Sequence, residues 1–234
     1  MGFFKDINEI NRQKWLKKII SKLPKNLRIL DAGAGELKNR KYCIHLDYVS
    51  QDFGQYKGSK KDGLHNKKWD TSEIDIVSDI CKIPQADASF DAILCSEVLE
   101  HVPDPIKVLD EFHRLLKLGG KLIITAPFSS NVHMAPYYYY SGFSKYWYEH
   151  HLQLSGFKIE TLVANGDWYS LLRQEITRLG SIERKNSSWI WPISYGLSFI
   201  GLVYFFLRPK KKENNLACFG WQCVAVKNNL KNRY

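Results

Sequence analysis

Asp31, Asp47 and Asp79 each stand at or near the end of a short apolar run, and Gly33-Ala34-Gly35 follows the first of them. Two glycines separated by one residue bare the backbone, so a ligand can approach where any side chain would collide. A dinucleotide fingerprint needs a third glycine to seat a pyrophosphate at a helix N-terminus, and Lys38 occupies that position. Asp31 beside the bend would repel a pyrophosphate and attract a cation, such as an ammonium or a sulfonium. Asp47 suits both hydroxyls of a ribose, and Asp79 is placed to meet an adenine edge. Any one of these acids is as readily a solvated or capping residue. Three of them at successive strand ends make a ligand site the better explanation.

Proton-handling groups follow further along. His101 and His133 are candidate general bases for an acceptor hydroxyl, a role worth roughly 100- to 10,000-fold in rate. Each is more readily a histidine bonded to a neighbouring loop. Glu97 is placed to orient a ligand. Residues 136–148 are crowded with aromatics, among them Tyr137, Tyr140, Trp147 and Tyr148. Aromatic walls can hold a sugar ring or an apolar chain, and their faces favour a cation. The plainer alternative is a cluster that packs a covering helix onto the domain.

The elements that must position these groups follow from periodicity. Residues 28–32, 42–47, 74–80, 90–95, 121–126, 157–164 and 218–226 are expected as strands, with 51–70 as a loop. Apolar residues recur at helical spacing from Ile7 to Leu23 and from Ile106 to Leu116. Helices are also expected over 146–156 and 167–179. Gly119-Gly120 is expected to stop the helix that begins near Asp104. Repeated strand-then-helix order predicts an α/β fold with a largely parallel sheet and right-handed crossovers.

With these residues in view, the sequence resembles class I S-adenosylmethionine-dependent methyltransferases, and within them the type 11 methyltransferase domain. Residues 28–36 are similar to the family's first motif, and His45-Leu46-Asp47-Tyr48 to its ribose-binding strand end. Residues 88–102 and 115–122 together are the most specific part of the likeness, which covers roughly residues 26–180 plus a last strand. The resemblance implies a Rossmann-like, seven-stranded, mostly parallel sheet with an antiparallel last strand and helices on both faces. It implies S-adenosyl-L-methionine as cofactor, with Asp31, Gly33 and Gly35 at its methionine part, Asp47 and Tyr48 at the ribose, and Asp79 and Ile80 at the adenine. Ser96 and Glu97 complete the expected cofactor set. The segment after the fifth strand is implied to cover the acceptor pocket. Position 37 departs from the family, which often has a small residue or glycine where this chain has Leu37.

The expected organisation is an N-terminal amphipathic helix over 1–25, the cofactor-binding domain over 26–180 with an aromatic lid at 131–150, a hydrophobic insertion over 181–215, and a last strand with a basic tail over 216–234. The chain has 234 residues and a formal charge of +10, which favours an anionic partner. Its lysines are spread out, so nucleic acid is not the expected partner. Five cysteines form no disulfide framework, and Cys218 with Cys223 lacks a second pair, so no metal site is expected from spacing. Met1–Ile10 has no secretory core, and a cytoplasmic location is expected.

Residues 189–207 contain no charge and are followed by Arg208 and Lys210–Lys212. By length this is a membrane-span candidate. A single crossing would leave the last strand across the bilayer from its sheet, so a span is not expected. The segment is expected either to pack on the domain or at a homodimer contact, or to lie in the interface of the membrane's inner face with its lysines on anionic lipid.

These features lead to a methyltransferase acting on an oxygen or nitrogen of a small molecule, a sugar or a lipid-linked glycan. RNA methylation is the first rival, favoured by charge but lacking an RNA module or a Pro-Pro-Tyr-type motif after the fourth strand. The second is a non-catalytic scaffold at the membrane, which the intact Asp31, Gly33, Gly35 and Asp47 argue against.

Overall fold

The computed structural model describes residues 6–58, 63–64, 67–207 and 216–228. The basic residues 208–212 and the tail beyond 228 lie outside the described residues. The chain separates into two compact units, Arg12–Val163 with Gly220–Tyr234, and Met1–Asn11 with Ala164–Phe219.

The first unit is built on a seven-stranded sheet: β1 (Arg28–Ala32), β2 (Asp47–Asp52), β3 (Ile76–Val77), β4 (Phe90–Ser96), β5 (Leu116–Pro127), β6 (Phe157–Asn165) and β7 (Gly220–Lys227). Their order across the sheet is β3-β2-β1-β4-β5-β7-β6. β1 to β5 pair in parallel, and β7 runs antiparallel to β5. The strand order reverses between β1 and β4, and in such sheets ligands bind beyond the carboxyl ends of the strands at that reversal.

Side-chain alternation along the central strands divides the core into two layers. Leu30, Ile93, Cys95, Leu122 and Ile124 face one cluster, while Ile29, Ala92, Leu94 and Ile123 face the other. Helix α2 (Pro105–Leu115) covers the first through Val108, Leu109, Phe112 and Leu115. Helix α1 (Ile7–Ile20) covers the second through Leu16 and Ile20. Both faces of the inner strands are therefore apolar, which is why they read as continuous runs in the sequence. Asp104 caps α2 by accepting from the Lys107 backbone amide at 3.1 Å, and Pro105 opens its first turn. Helix α3 (Lys145–Leu154) precedes β6.

Three expectations needed correction. The run 42–47 was expected as a strand. It forms a 3-10 turn at Arg40–Tyr42 and a loop, and Asp47 opens β2 instead of closing it. Gly119-Gly120 was expected to end a helix, but α2 ends at Leu115 and both glycines lie inside β5. The span 74–80 holds only the two-residue strand β3.

In the second unit, α4 (Trp168–Lys185) and α5 (Trp191–Leu207) pack on each other. The Ser198 hydroxyl donates to the Ile176 carbonyl at 2.7 Å, and Gly201 lies against Ile176. Among the described residues, no helix is long and apolar enough to cross a membrane.

Candidate functional site

β1 ends in a bend that the glycines make possible. Gly33 has φ +74°, and a Cβ there would stand 2.4 Å from Cγ2 of Val98. Gly35 has φ +52°, and a Cβ there would meet the Trp69 ring at 2.8 Å. Both positions thus need glycine twice over, for backbone conformation and for space. The Gly33 and Ala34 amides donate to the Gln51 carbonyl at 2.8 and 2.9 Å, which ties the bend to the end of β2. Leu37, where the family often has glycine, adopts φ +57°, so this bend keeps the left-handed turn without the smaller residue.

Asp52 closes β2 beside this bend. One carboxylate oxygen accepts from the Gly35 amide at 3.0 Å and the other from the Gly54 amide at 2.9 Å. Asp52, Asp79, Ile80, Gly33 and Glu97 line a cavity of about 430 Å³ that continues past His101, Met134, Tyr137 and Tyr139. Among its described lining residues there are three carboxylates and no lysine or arginine. In a chain of formal charge +10 this is a local inversion of sign. It suits a cationic or hydroxyl-rich ligand and opposes a pyrophosphate or a nucleic-acid backbone.

Asp31 is fully buried one strand position from the bend. The Tyr48 hydroxyl donates to it at 2.8 Å, while its other oxygen has no hydrogen-bond partner among the described residues. Burial raises its pKa from the ordinary 3.8 to about 6, against the lowering effect of the Tyr48 bond. Tyr48 thus holds Asp31 and is not among the residues lining the cavity. Asp47 lies at the far end of β2, exposed and paired with Arg28 at 3.5 Å. The register sets Asp47 beside Arg28 and Ser50 beside Asp31, so Asp47 is at the wrong end of the strand for the bend. Asp52 occupies the place expected of Asp47.

Glu97 has φ +57°, a conformation non-glycine residues adopt mainly under constraint. The Thr125 hydroxyl donates to its carboxylate at 2.9 Å, and Arg12 pairs with it at 3.1 Å. Ser96 shares a 2.9 Å hydrogen bond with Thr125 and is not part of the cavity lining. His101 lines the cavity, with Nδ1 2.5 Å from the Tyr137 carbonyl. His133 stacks edge-on to His101 with centroids 4.6 Å apart. Between them lies Glu100, fully buried, whose carboxyl is pushed well above the usual range by desolvation and then by the Glu97 charge.

Of the expected aromatic wall, Tyr137 lines the cavity and meets Phe53 edge-on at 4.9 Å. The other three pack the covering helix. Tyr148 is fully buried in the core, Trp147 stacks on Phe143 at 4.6 Å, and the Tyr140 hydroxyl donates to the Pro103 carbonyl at 3.0 Å. A helix buries one face, and Tyr148 with Leu152 falls on the buried face of α3. The sequence reasoning missed Asp52, Phe53, Trp69, Val98, Glu100, Met134 and Tyr139. Asp52 was legible as an acid ending the short run Tyr48-Val49-Ser50-Gln51. Trp69 lay in a stretch set aside as polar loop.

Comparison with known proteins follows this geometry. Residues 30–124 match a family model described as a methyltransferase domain. That segment holds the bend, Asp52, Asp79, Glu97 and His101, and over it the chain is similar to methyltransferases. A ubiquinone biosynthesis O-methyltransferase of Xanthomonas oryzae pv. oryzae is 38% identical over 102 residues, covering 42% of this chain and 42% of that protein. The chain thus spans about two fifths of the length of the curated relatives it matches. Among solved structures, the 1,6-didemethyltoxoflavin-N1-methyltransferase of Burkholderia thailandensis, with bound S-adenosylhomocysteine, is similar with a TM-score of 0.55 at 15% identity, over 93% of this chain and 78% of that one. The phosphoethanolamine N-methyltransferase 2 of Haemonchus contortus, with S-adenosyl-L-methionine, gives 0.55 at 17% identity, over 94% and 53%. At these identities the structures speak for the fold. The cofactor of the family is S-adenosyl-L-methionine. The glycine bend and the acidic lining fit a cationic nucleoside, whereas Asp31, fully buried, is not among the residues that line the cavity.

Proposed function

We propose that this chain transfers a methyl group from S-adenosyl-L-methionine to an oxygen of a small, flat, largely apolar acceptor. When bound, the cofactor supplies an already activated methyl on a sulfonium, so positioning provides much of the rate. Gly33 and Gly35 would lie along its methionine part, Asp52 at the ribose, and Asp79 with Ile80 at the adenine. The observation that carries the reading is the single cavity that runs from this acidic cradle to Phe53, Met134, Tyr137 and Tyr139, with His101 on its wall. An apolar and aromatic end suits a planar acceptor. His101 and Glu97 are the groups at that end able to polarise an acceptor hydroxyl or hold its proton. The absence of lysine and arginine from the described lining weighs against an RNA acceptor.

The test is calorimetry with S-adenosylhomocysteine, followed by transfer of labelled methyl into fractionated lysate. Binding with label entering the small-molecule or lipid pool supports the reading. Label confined to RNA or to polar glycan would overturn the acceptor class, and no heat of binding would overturn the enzyme.

We further propose that α5 docks in the interface of an anionic membrane. Ile193, Phe199, Ile200, Tyr204 and Phe206 are exposed on it, and the basic run at 208–212 follows in the sequence. Flotation with vesicles of phosphatidylcholine alone and with added phosphatidylglycerol tests this. Failure to float with either sinks it.

A further inference from the structure

Glu100 is the least explained residue of the acceptor end. Its side chain has no exposure, and neither carboxylate oxygen has a hydrogen-bond partner among the described residues. A buried carboxyl in this state keeps its proton unless a positive charge meets it. Two imidazoles approach the same oxygen: Nε2 of His101 at 3.7 Å and Nε2 of His133 at 3.9 Å. Both separations are too long for hydrogen bonds.

The histidines are oriented from behind. Nδ1 of His101 lies 2.5 Å from the Tyr137 carbonyl, and Nδ1 of His133 lies 2.9 Å from the Asn131 carbonyl. A carbonyl only accepts, so each Nδ1 carries its proton and donates it. When neutral, each ring turns an Nε2 lone pair toward Glu100. This is the backing that metal-binding histidines receive from their surroundings. The three donor atoms lie within 4.8 Å of one another. Ligands of a tetrahedral zinc ion stand about 3.4 Å apart, so each histidine nitrogen would close on Glu100 by a few tenths of an ångström and the two nitrogens on each other by up to about 1.4 Å.

We propose that Glu100, His101 and His133 hold a divalent transition-metal ion, zinc in the first place, against the acceptor end of the cavity. Two imidazoles and one carboxylate favour zinc over magnesium or calcium, which prefer oxygen alone. Glu97, the next carboxylate, is engaged by Thr125 and Arg12 and stays outside the donor set. His101 lines the cavity, and an open position of the ion on that side would face the acceptor. Its use there rests on the methyl-transfer reading above. The ion lowers the pKa of an acceptor hydroxyl, whose proton passes to solvent. The new oxygen–carbon bond then forms as the carbon–sulfur bond breaks, and sulfur leaves with the bonding pair as a neutral thioether. No oxidant or reductant is needed. His101 thereby serves the acceptor through the ion. Spacing in the sequence did not suggest this site, because Glu100-His101 and His133 lie in separate loops.

The test uses the full chain stripped with a chelator and dialysed. Zinc is titrated against a chromophoric chelator, and cobalt is added separately for its visible bands. One zinc per chain, and cobalt bands of a four- or five-coordinate site, are expected. His133→Ala should weaken zinc at least 100-fold and abolish the bands, with affinity for S-adenosylhomocysteine within twofold of the parent. Glu100→Gln should do the same, and if it fails to fold, His133→Ala and the cobalt spectrum decide the matter alone. Less than one zinc per ten chains, or unchanged affinity in His133→Ala, overturns the proposal. Zinc binding without any S-adenosylhomocysteine binding would leave the metal site standing and remove the methyl-transfer reading.

Discussion

Replacing Asp52 and Asp47 in turn by asparagine separates the two ends of β2. Each change removes one negative charge and keeps the side chain's shape. Asp52 holds the Gly35 and Gly54 amides and lines the cavity, whereas Asp47 is exposed at the opposite end of the strand. Five residues of strand separate them, about 16 Å. Across that distance in water, one charge acts on another by about 0.3 kcal/mol, and salt screens it further beyond roughly 8 Å. Asp47→Asn should therefore leave affinity for S-adenosylhomocysteine within twofold. Hydrogen bonds from ribose hydroxyls to a carboxylate contribute about 1.5–3 kcal/mol, so Asp52→Asn should weaken binding roughly 10- to 150-fold. An amide oxygen cannot serve both backbone donors as the carboxylate does, so a stability loss of about 1–3 kcal/mol should accompany it. Isothermal calorimetry at a temperature where circular dichroism shows the variant folded measures the first effect without the second. Binding by Asp52→Asn within twofold of the parent, or a tenfold loss in Asp47→Asn, would refute the placement of the ribose at Asp52.

Two other outcomes follow from the same bend. Asp31 is fully buried, and its pKa is raised from 3.8 to about 6, so the folded state holds a proton that the unfolded state has already released between those values. Stability should fall as pH rises from 3.8 to 6, by on the order of 3 kcal/mol, and stay lower above that. Asp31→Asn removes this dependence, so its melting temperature relative to the parent should rise between pH 4.5 and pH 7.5; a constant difference would show that Asp31 ionises normally. Gly33→Ala meets both φ +74° and Val98 at 2.4 Å. The backbone part costs about 1–2 kcal/mol, so adding Val98→Ala should relieve the steric part and leave that remainder, as read from denaturant unfolding.

Much of the bend was legible in the sequence because its geometry is local. Asp31, Gly33 and Gly35 sit within one bend, and their types are dictated by what a backbone turn at a strand end permits. The largely parallel sheet followed from alternating elements, since inner parallel strands buried on both faces leave continuous apolar runs. Helix caps at Asp104 and Asp167 obey rules that span a few residues.

What the sequence could not decide is which residues meet across distance. Tyr42-Cys43-Ile44-His45-Leu46 has the composition of a strand, yet β2 begins at Asp47, because pairing with β1 and not apolar content fixes the register. That shift puts Asp52, and not Asp47, at the end of β2 beside the bend. The aromatic run 136–148 has one composition and two fates: Tyr137 and Tyr139 face the cavity, while Tyr148 faces the core. Only the folded path of the chain assigns those faces. Glu100, His101 and His133 come together because the loops after β4 and β5 end at the same edge of the sheet, a juxtaposition created by parallel pairing and invisible to spacing.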